Sequence, residues 1–188
     1  MEGDIVDYAV ELRSRYEDAY RRLFDLMPMP GRPPNLRVAV SPLDYERISG
    51  GSKRVRGALG YAIASDNLIV LNAPKLLSFE QKTERPPCCT IVHELIHVAL
   101  YNTCCCMRNA AIEECEAAWD RIHPIAAECE GWEIDGPEEL IAVCCERVYC
   151  PHDLHCDNNL VLSRFGRKFV RTLDWTLPRM VRRRERST

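Results

Sequence analysis

The chain has 188 residues, of which 46% are hydrophobic and 28% charged, and its formal net charge is −3. This length suits one domain with a hydrophobic core, and the composition excludes a disordered chain. No apolar run reaches the roughly 18 to 20 residues that cross a bilayer, and the acidic N-terminus does not resemble a signal peptide. We therefore expect a cytoplasmic protein that does not bind membranes.

The first third of the chain predicts a helix followed by a small sheet. Apolar residues recur every three or four positions over residues 4–27, as in an amphipathic helix, and the proline-rich stretch MPMPGRPPN ends this pattern. β-Prone runs follow in LRVAVSPL and in ALGYAIASDNLIVLN, where Ser65-Asp66-Asn67 indicates a hairpin turn. The glycine-rich, basic stretch RISGGSKRVRG between them should be an exposed loop.

Helices are predicted for most of the remaining chain. One begins just after Pro86-Pro87 and runs to about Asn102. One or two more lie between Ala110 and Glu130, with an interruption at Pro124. Gly136-Pro137 marks the start of the next helix, EELIAVCCERVYC, because proline is favoured in a first helical turn.

The motif HELIH, residues 93–97, lies within the helix that follows the two prolines. His93 and His97 are four residues apart, so their side chains share one helix face and can both reach a single metal ion. Glu94 flanks the first histidine, where its carboxylate can act as general base for a water activated by zinc. A helix with two packed histidines and a surface glutamate would have the same sequence. The position of the motif after a hairpin and a proline-marked helix start favours the metal site.

With the hairpin before it and the glutamate-bearing helix after it, this motif resembles the zincin metallopeptidases, specifically the small gluzincin-like proteins of phage and bacterial genomes. The resemblance covers roughly residues 36–150 and implies an α+β, zincin-like fold, in which a small mixed sheet packs its edge hairpin on the HExxH helix. It also implies a zinc metallopeptidase in which His93 and His97 bind Zn²⁺ with a glutamate from the downstream helix, while Glu94 is the general base. A metzincin is excluded because Leu100 and Thr103 stand where that family has a glycine and a third histidine.

The third metal ligand is open between two neighbouring glutamates. The apolar pattern of PEELIAVCCERV indicates that Glu139 faces the small-residue side of its helix, so Glu139 is the expected ligand and Glu138 the alternative. Glu146, two turns further on, is expected to orient a ligand histidine. Acidic residues in a first helical turn also complement the helix dipole, which is a second explanation for both. If neither binds zinc, the ligand is expected among the histidines outside the motif, which are His123, His152 and His155.

The eleven cysteines are unusual in a chain expected to be cytoplasmic, where thiols are kept reduced. Adjacent cysteines such as Cys88-Cys89 lack the CxxC spacing of zinc sites, so most cysteines are expected to fill the core as small hydrophobic residues. The stretch YCPHDLHC is a rival metal site, and it offers Cys150, His152, His155 and Cys156. The residue that stabilises the oxyanion of a reaction intermediate is left open among His152, His155, Tyr149 and His123.

Charge is unevenly distributed along the chain. Acidic residues dominate from Glu113 to Glu139, whereas basic residues dominate from Arg164 to Arg186. We expect an N-terminal helix and proline-rich linker (1–34), a zincin-like metallopeptidase domain (35–162) and a basic C-terminal extension (163–188).

These segments suggest different partners. In the leading interpretation, an edge strand in SDNLIVLN pairs with an extended peptide or protein substrate. The basic extension supports an alternative function, a non-catalytic zinc-containing regulatory or nucleic-acid-associated protein that contacts nucleic acid or an acidic partner.

Overall fold

The computed structural model describes residues 2–48, 58–83, 86–131, 133–151 and 157–178. Within these ranges the protein is α+β and mostly helical, with one three-stranded sheet. The strands are β1 (Asn35–Ala39), β2 (Gly60–Ile63) and β3 (Leu68–Asn72). The α-helices are α1 (Glu2–Leu23), α2 (Pro42–Ile48), α3 (Ala73–Thr83), α4 (Cys88–Asn102), α5 (Cys105–Ala117), α6 (Trp119–Glu130), α7 (Pro137–Tyr149) and α8 (Asp157–Thr172). None of these helices is long and apolar enough to cross a membrane.

The sheet is mixed, with β3 in its centre. β1 runs parallel to β3, β2 runs antiparallel to it, and the strand order is β1-β3-β2. The hairpin predicted between β2 and β3 is confirmed, and Asn67 closes its turn in the left-handed conformation with a φ of 49°. The expectation that SDNLIVLN supplies an edge strand is wrong, because β1 and β2 pair with the two sides of β3. β2 is the edge strand that packs on α4.

Two local boundaries differ from the sequence predictions. The run LRVAVSPL divides at Ser41, because the backbone N–H of Asp44 donates to Ser41 Oγ at 3.1 Å and Pro42 opens α2. The interruption predicted at Pro124 lies instead at Ala118, between α5 and α6. Pro124 lies inside α6, and the helix continues through it with one backbone hydrogen bond fewer.

The boundary predicted after residue 162 falls inside α8. Leu162, Phe169 and Val170 are fully buried in the same core as Leu12 of α1 and Leu95 of α4. α1 and α8 are therefore parts of the main packing unit. Apolar residues recur at helical spacing in α8 and predict a buried helix face. The prediction of a basic extension relied instead on its many basic residues. The basic residues from 179 onward lie outside the described residues, as does most of the loop predicted at RISGGSKRVRG.

α7 packs against α4 and against α8. Its contact with α8 is unusually close, since a Cβ atom added at Gly166 would lie 2.1 Å from the backbone oxygen of Cys144. A side chain of any size at position 166 would push α8 away from α7. This contact fixes the position of α7, and with it the position of the first turn of α7 beside α4.

Gly166→Ala is therefore expected to destabilise the protein by about 1–3 kcal/mol. On an open helix surface the same change would stabilise by up to about 1 kcal/mol, so the sign of the effect reports the close packing. Thermal unfolding followed by circular dichroism measures it. Arg164→Ala, on the exposed face of the same helix, is the matched control and should change the melting temperature little. An unchanged or higher melting temperature for Gly166→Ala would contradict the helix contact.

Candidate metal centre

His93, His97 and Glu139 meet where the first turn of α7 approaches α4. The two Nε2 atoms of His93 and His97 are 3.1 Å apart. Glu139 Oε1 lies 3.1 Å from His93 Nε2, and Glu139 Oε2 lies 3.1 Å from His97 Nε2. Donor atoms at about 2.0–2.1 Å from a tetrahedral zinc ion would be about 3.3 Å from one another. These three side chains therefore have the chemistry and the spacing of a site for a divalent metal ion.

The local sequence explains this placement. His93 and His97 are one turn apart on α4, a helix most of whose residues are buried, so the face that carries them is fixed by core packing. Gly136 precedes α7 with a φ of 96°, a conformation that favours glycine, and Pro137 then starts the helix. Glu139 thus projects from the first turn of α7, where the helix dipole also favours a negative charge.

The other candidates for the third ligand lie elsewhere. The side chain of Glu138 is 53% exposed and its Oε1 is 3.9 Å from Arg108 Nε. The ring of His123 stacks on Trp119 with 4.5 Å between centroids. His152 and His155 are outside the described residues. Of the two glutamates that the sequence left open, the geometry brings Glu139 together with the histidines.

The charges of the cluster stabilise one another. Burial by itself would lower the pKa of His93, but the carboxylates of Glu139 and Glu146 raise that pKa well above its ordinary value. Burial by itself would raise the pKa of Glu139, but His93 and His97 hold it far below its usual range. Positive charge on the His93 imidazole therefore compensates the buried carboxylate of Glu139, as a metal ion would do.

A chain of buried charged groups lies behind His93. Glu146 Oε2 is 3.3 Å from His93 Nδ1, and Arg147 Nη1 donates to Glu146 Oε1 at 2.9 Å. Arg147 also pairs with Glu130 at the end of α6, and all three charged side chains are buried. The carboxylate of Glu146 orients the imidazole so that Nε2 faces the cluster, the role expected for Glu146 from the sequence. Sequence reasoning missed Glu130 and Arg147, although a charged pair within the apolar run of α7 was a signal.

The cluster opens into a cavity of about 730 Å³ bordered by α4, β2 and the segment before α7. Glu94 is buried and lines this cavity with the two histidines. Burial raises the pKa of its carboxyl group, against the opposing effect of His93 and His97. A carboxylate with a raised pKa is suited to accept a proton and return it near neutral pH.

Two side chains considered for the oxyanion do not line this cavity. The Tyr149 hydroxyl donates to the backbone oxygen of Thr176 at 3.1 Å, and His123 is stacked as described above. Among the described residues that do line the cavity, Tyr61, Tyr101 and Arg108 carry hydrogen-bond donors that the sequence reasoning missed. Tyr101 follows His97 by four residues, and this spacing on one helix face was the available signal.

The edge strand β2 borders the cavity with main-chain groups. The backbone N–H of Asn72 donates to the oxygen of Leu59 at 2.8 Å, and the register pairs Gly60 with Leu71. Because hydrogen bonding alternates along an antiparallel pair, the N–H and C=O groups of Gly60 and Ala62 point away from β3. Within the described residues no further strand pairs with this edge of β2. Gly60 and Ala62 both line the cavity.

The cysteines depart in part from the expected core-filling role. Those that are buried are Cys89, Cys115, Cys144, Cys145 and Cys150. The consecutive cysteines at 104–106 are exposed, so the expectation, which was made for most of the cysteines, does not extend to them. Of the rival metal site in YCPHDLHC, Cys150 is described, and residues 152–156 lie outside the described residues.

No protein-family model matches the chain, and no curated protein or solved structure is significantly similar to it. A function must therefore be inferred from the cluster and its cavity.

Substitution of each donor residue, compared with substitution of the adjacent Glu138, tests which side chains bind the metal ion. With added Zn²⁺ as the probe ion, His93→Ala, His97→Ala and Glu139→Ala are each expected to bind one equivalent less than the unsubstituted chain, because two protein donors hold a divalent ion poorly. Elemental analysis after gel filtration with a weak chelator measures the zinc content. Glu138→Ala, one residue away and paired with Arg108, is the control and should retain it. A loss in Glu138→Ala with retention in Glu139→Ala would move the ligand by one residue.

Glu146→Gln keeps the shape of the side chain but removes its charge. We expect zinc affinity to fall by about 10- to 100-fold, because the His93 imidazole loses the carboxylate that orients it. Competition with a chromophoric chelator measures this affinity. Glu116→Gln, an exposed carboxylate on α5, should leave it unchanged. Equal affinities for the two variants would exclude an orienting role for Glu146.

Proposed function

We propose that this protein is a zinc-dependent metallopeptidase of the zincin type, which hydrolyses peptide bonds. The observation that carries the proposal is the meeting of His93, His97 and Glu139 at donor distance in a cavity that Glu94 also lines. Two imidazoles and one carboxylate are a donor set known from catalytic zinc sites, where three protein ligands leave one position open. Bound there, zinc would supply a Lewis acid that polarises the scissile carbonyl and makes a water molecule more acidic.

The side chains around the cluster have distinct roles in this proposal. Glu94 accepts a proton from the attacking water and delivers it to the leaving amine. Tyr61, Tyr101 and Arg108 line the cavity with hydrogen-bond donors suited to stabilise negative charge on the carbonyl oxygen. Glu146 and Arg147 keep the His93 ring in place through the contacts given above.

The edge of β2 supports a peptide as the substrate. The outward N–H and C=O groups of Gly60 and Ala62 can pair with an extended backbone and hold it along the cavity. Such main-chain pairing requires no specific side chain in the substrate. It would fix the scissile bond near Glu94 and reduce the entropic cost of reaching the transition state.

The charge of the cavity favours basic peptides. Near its rim, Glu133, Asp135 and Glu138 contribute negative charge, and Arg108 contributes positive charge. A predominantly acidic opening attracts lysine and arginine side chains and repels acidic ones. A peptide mixture rich in basic residues is therefore the appropriate first substrate.

Glu94→Gln tests the mechanism, because it removes the base and retains the size of the side chain. The zinc-loaded chain should cleave peptides of a proteome-derived mixture, and Glu94→Gln should lower the rate by about 10²- to 10⁴-fold. Mass spectrometry identifies the new termini, and elemental analysis must show equal zinc in both proteins. Glu116→Gln should retain full activity.

A zinc-loaded chain that cleaves no peptide of the mixture would overturn the proposal. A complex with DNA that weakens steeply with salt would then favour the alternative, nucleic-acid-associated function.

A further inference from the structure

Three cysteine sulfur atoms converge at the end of the α4–α7 contact. Cys150 Sγ lies 3.5 Å from Cys88 Sγ and 3.5 Å from Cys89 Sγ, and all three sulfur atoms lie within 4.8 Å of one another. Cys88 and Cys89 form the first turn of α4, and Cys150 caps the end of α7. The other buried cysteines on these elements behave differently, as Cys145 Sγ contacts the backbone oxygen of Gly166. Filling a core with small residues does not require sulfur atoms to meet.

The spacing of the three sulfur atoms is that of a thiolate metal site. Thiolates at about 2.3 Å from a tetrahedral zinc ion have their sulfur atoms about 3.8 Å apart. A disulfide needs about 2.05 Å, and it would leave one of three sulfur atoms unused. The adjacent cysteines Cys88 and Cys89 have sulfur atoms close enough to bind one metal ion, and the third sulfur comes from α7. Residues next to each other on a helix point about 100° apart, so a sulfur from α7 can lie between them.

Because two of these thiols are buried and the third is half-buried, a bound cation would be the main charge compensating their thiolates. Cys89 and Cys150 are 1% and 5% exposed, so their thiolates would need a compensating positive charge. Three thiolates and one divalent ion leave a net charge of −1, which the positive end of the α4 dipole partly offsets at Cys88 and Cys89, whereas Cys150 lies at the negative end of the α7 dipole. Pro87 and Pro151 flank the cysteines and restrict the backbone on both sides.

We propose that Cys88, Cys89 and Cys150 form a second metal site that binds a thiophilic ion such as Zn²⁺. Three thiolates leave one tetrahedral position for a water molecule or a fourth donor. This site joins the beginning of α4 to the end of α7, one helical turn from His93 and from Glu146 respectively. It would hold together the two helices that carry the first cluster. The inference does not depend on the proposed peptidase activity.

Metal content distinguishes this site from the first cluster. The full chain is purified in zinc with a reductant that contains no thiol, and zinc is counted by elemental analysis. Cys150→Ala should lose one equivalent and keep the one that Glu139→Ala loses. Cys145→Ala, a fully buried cysteine on the same helix, is the matched control and should lose none. Circular dichroism verifies that each variant is folded.

Cobalt provides a readout that is specific for sulfur. Loading with Co²⁺ should produce a thiolate-to-cobalt charge-transfer band in the near ultraviolet, which Cys150→Ala abolishes and Glu139→Ala retains. If His93, His97 and Glu139 do not bind a metal ion, Glu139→Ala will have the same metal content as the unsubstituted chain. Each of the two proposed sites can therefore be disproved independently of the other.

Alkylation tests the site in the unsubstituted chain, without relying on a variant that folds. Zinc should protect Cys88, the half-buried thiol of the three, from iodoacetamide, as measured by peptide mass spectrometry. The exposed cysteines at 104–106 are the internal control and should react equally with and without zinc. Equal alkylation of Cys88 with and without zinc would overturn the proposal. A disulfide between Cys150 and Cys88 or Cys89 in the reduced preparation, or a chain without the cobalt band, would also overturn it.

Discussion

The packing of α7 against α4 places a carboxylate of one helix against two imidazoles of the other. The helices run antiparallel, since His97 meets Glu139 at the start of α7 while Cys89 meets Cys150 at its end. α7 is held from the other side by α8, which approaches its backbone at Gly166. A shift of about 1 Å in this contact would disrupt distances that a metal site tolerates poorly. The packing of these helices in the core therefore also determines the geometry of the site.

Buried charge is the main energetic cost of this arrangement. Glu130, Arg147, Glu146 and His93 form a continuous series of contacts inside the core. Buried ion pairs stabilise proteins weakly compared with apolar packing, although removal of one partner costs about 3–5 kcal/mol. Replacing such buried charges by well-packed apolar residues is often neutral or stabilising. These charges orient the His93 ring. Its Nδ1 faces Glu146, and its Nε2 faces His97 and Glu139.

The sequence predicted features that depend on residues close together in the chain. It did not predict features that depend on how two distant elements pack. The spacing of His93 and His97, the start of α7 and the β2–β3 hairpin follow from short-range rules. The order of the strands does not, because pairing of β3 with β1 depends on residues far apart in sequence. Glu139 and Glu138 could not be separated with certainty until the rotation of α7 relative to α4 was known. α8 was missed because its basic composition outweighed its apolar spacing.

Both clusters take donors from α4 and from α7, and this has a consequence for folding. An unfolded chain cannot hold either donor set together, so an ion bound at either one stabilises the same helix contact. The clusters differ in chemistry, with sulfur donors at one and imidazole and carboxylate donors at the other, so metals of different softness would distribute between them. An ion bound at one cluster would restrict the two helices that form the other. Binding at one cluster should therefore increase affinity at the other without any direct contact between the ions.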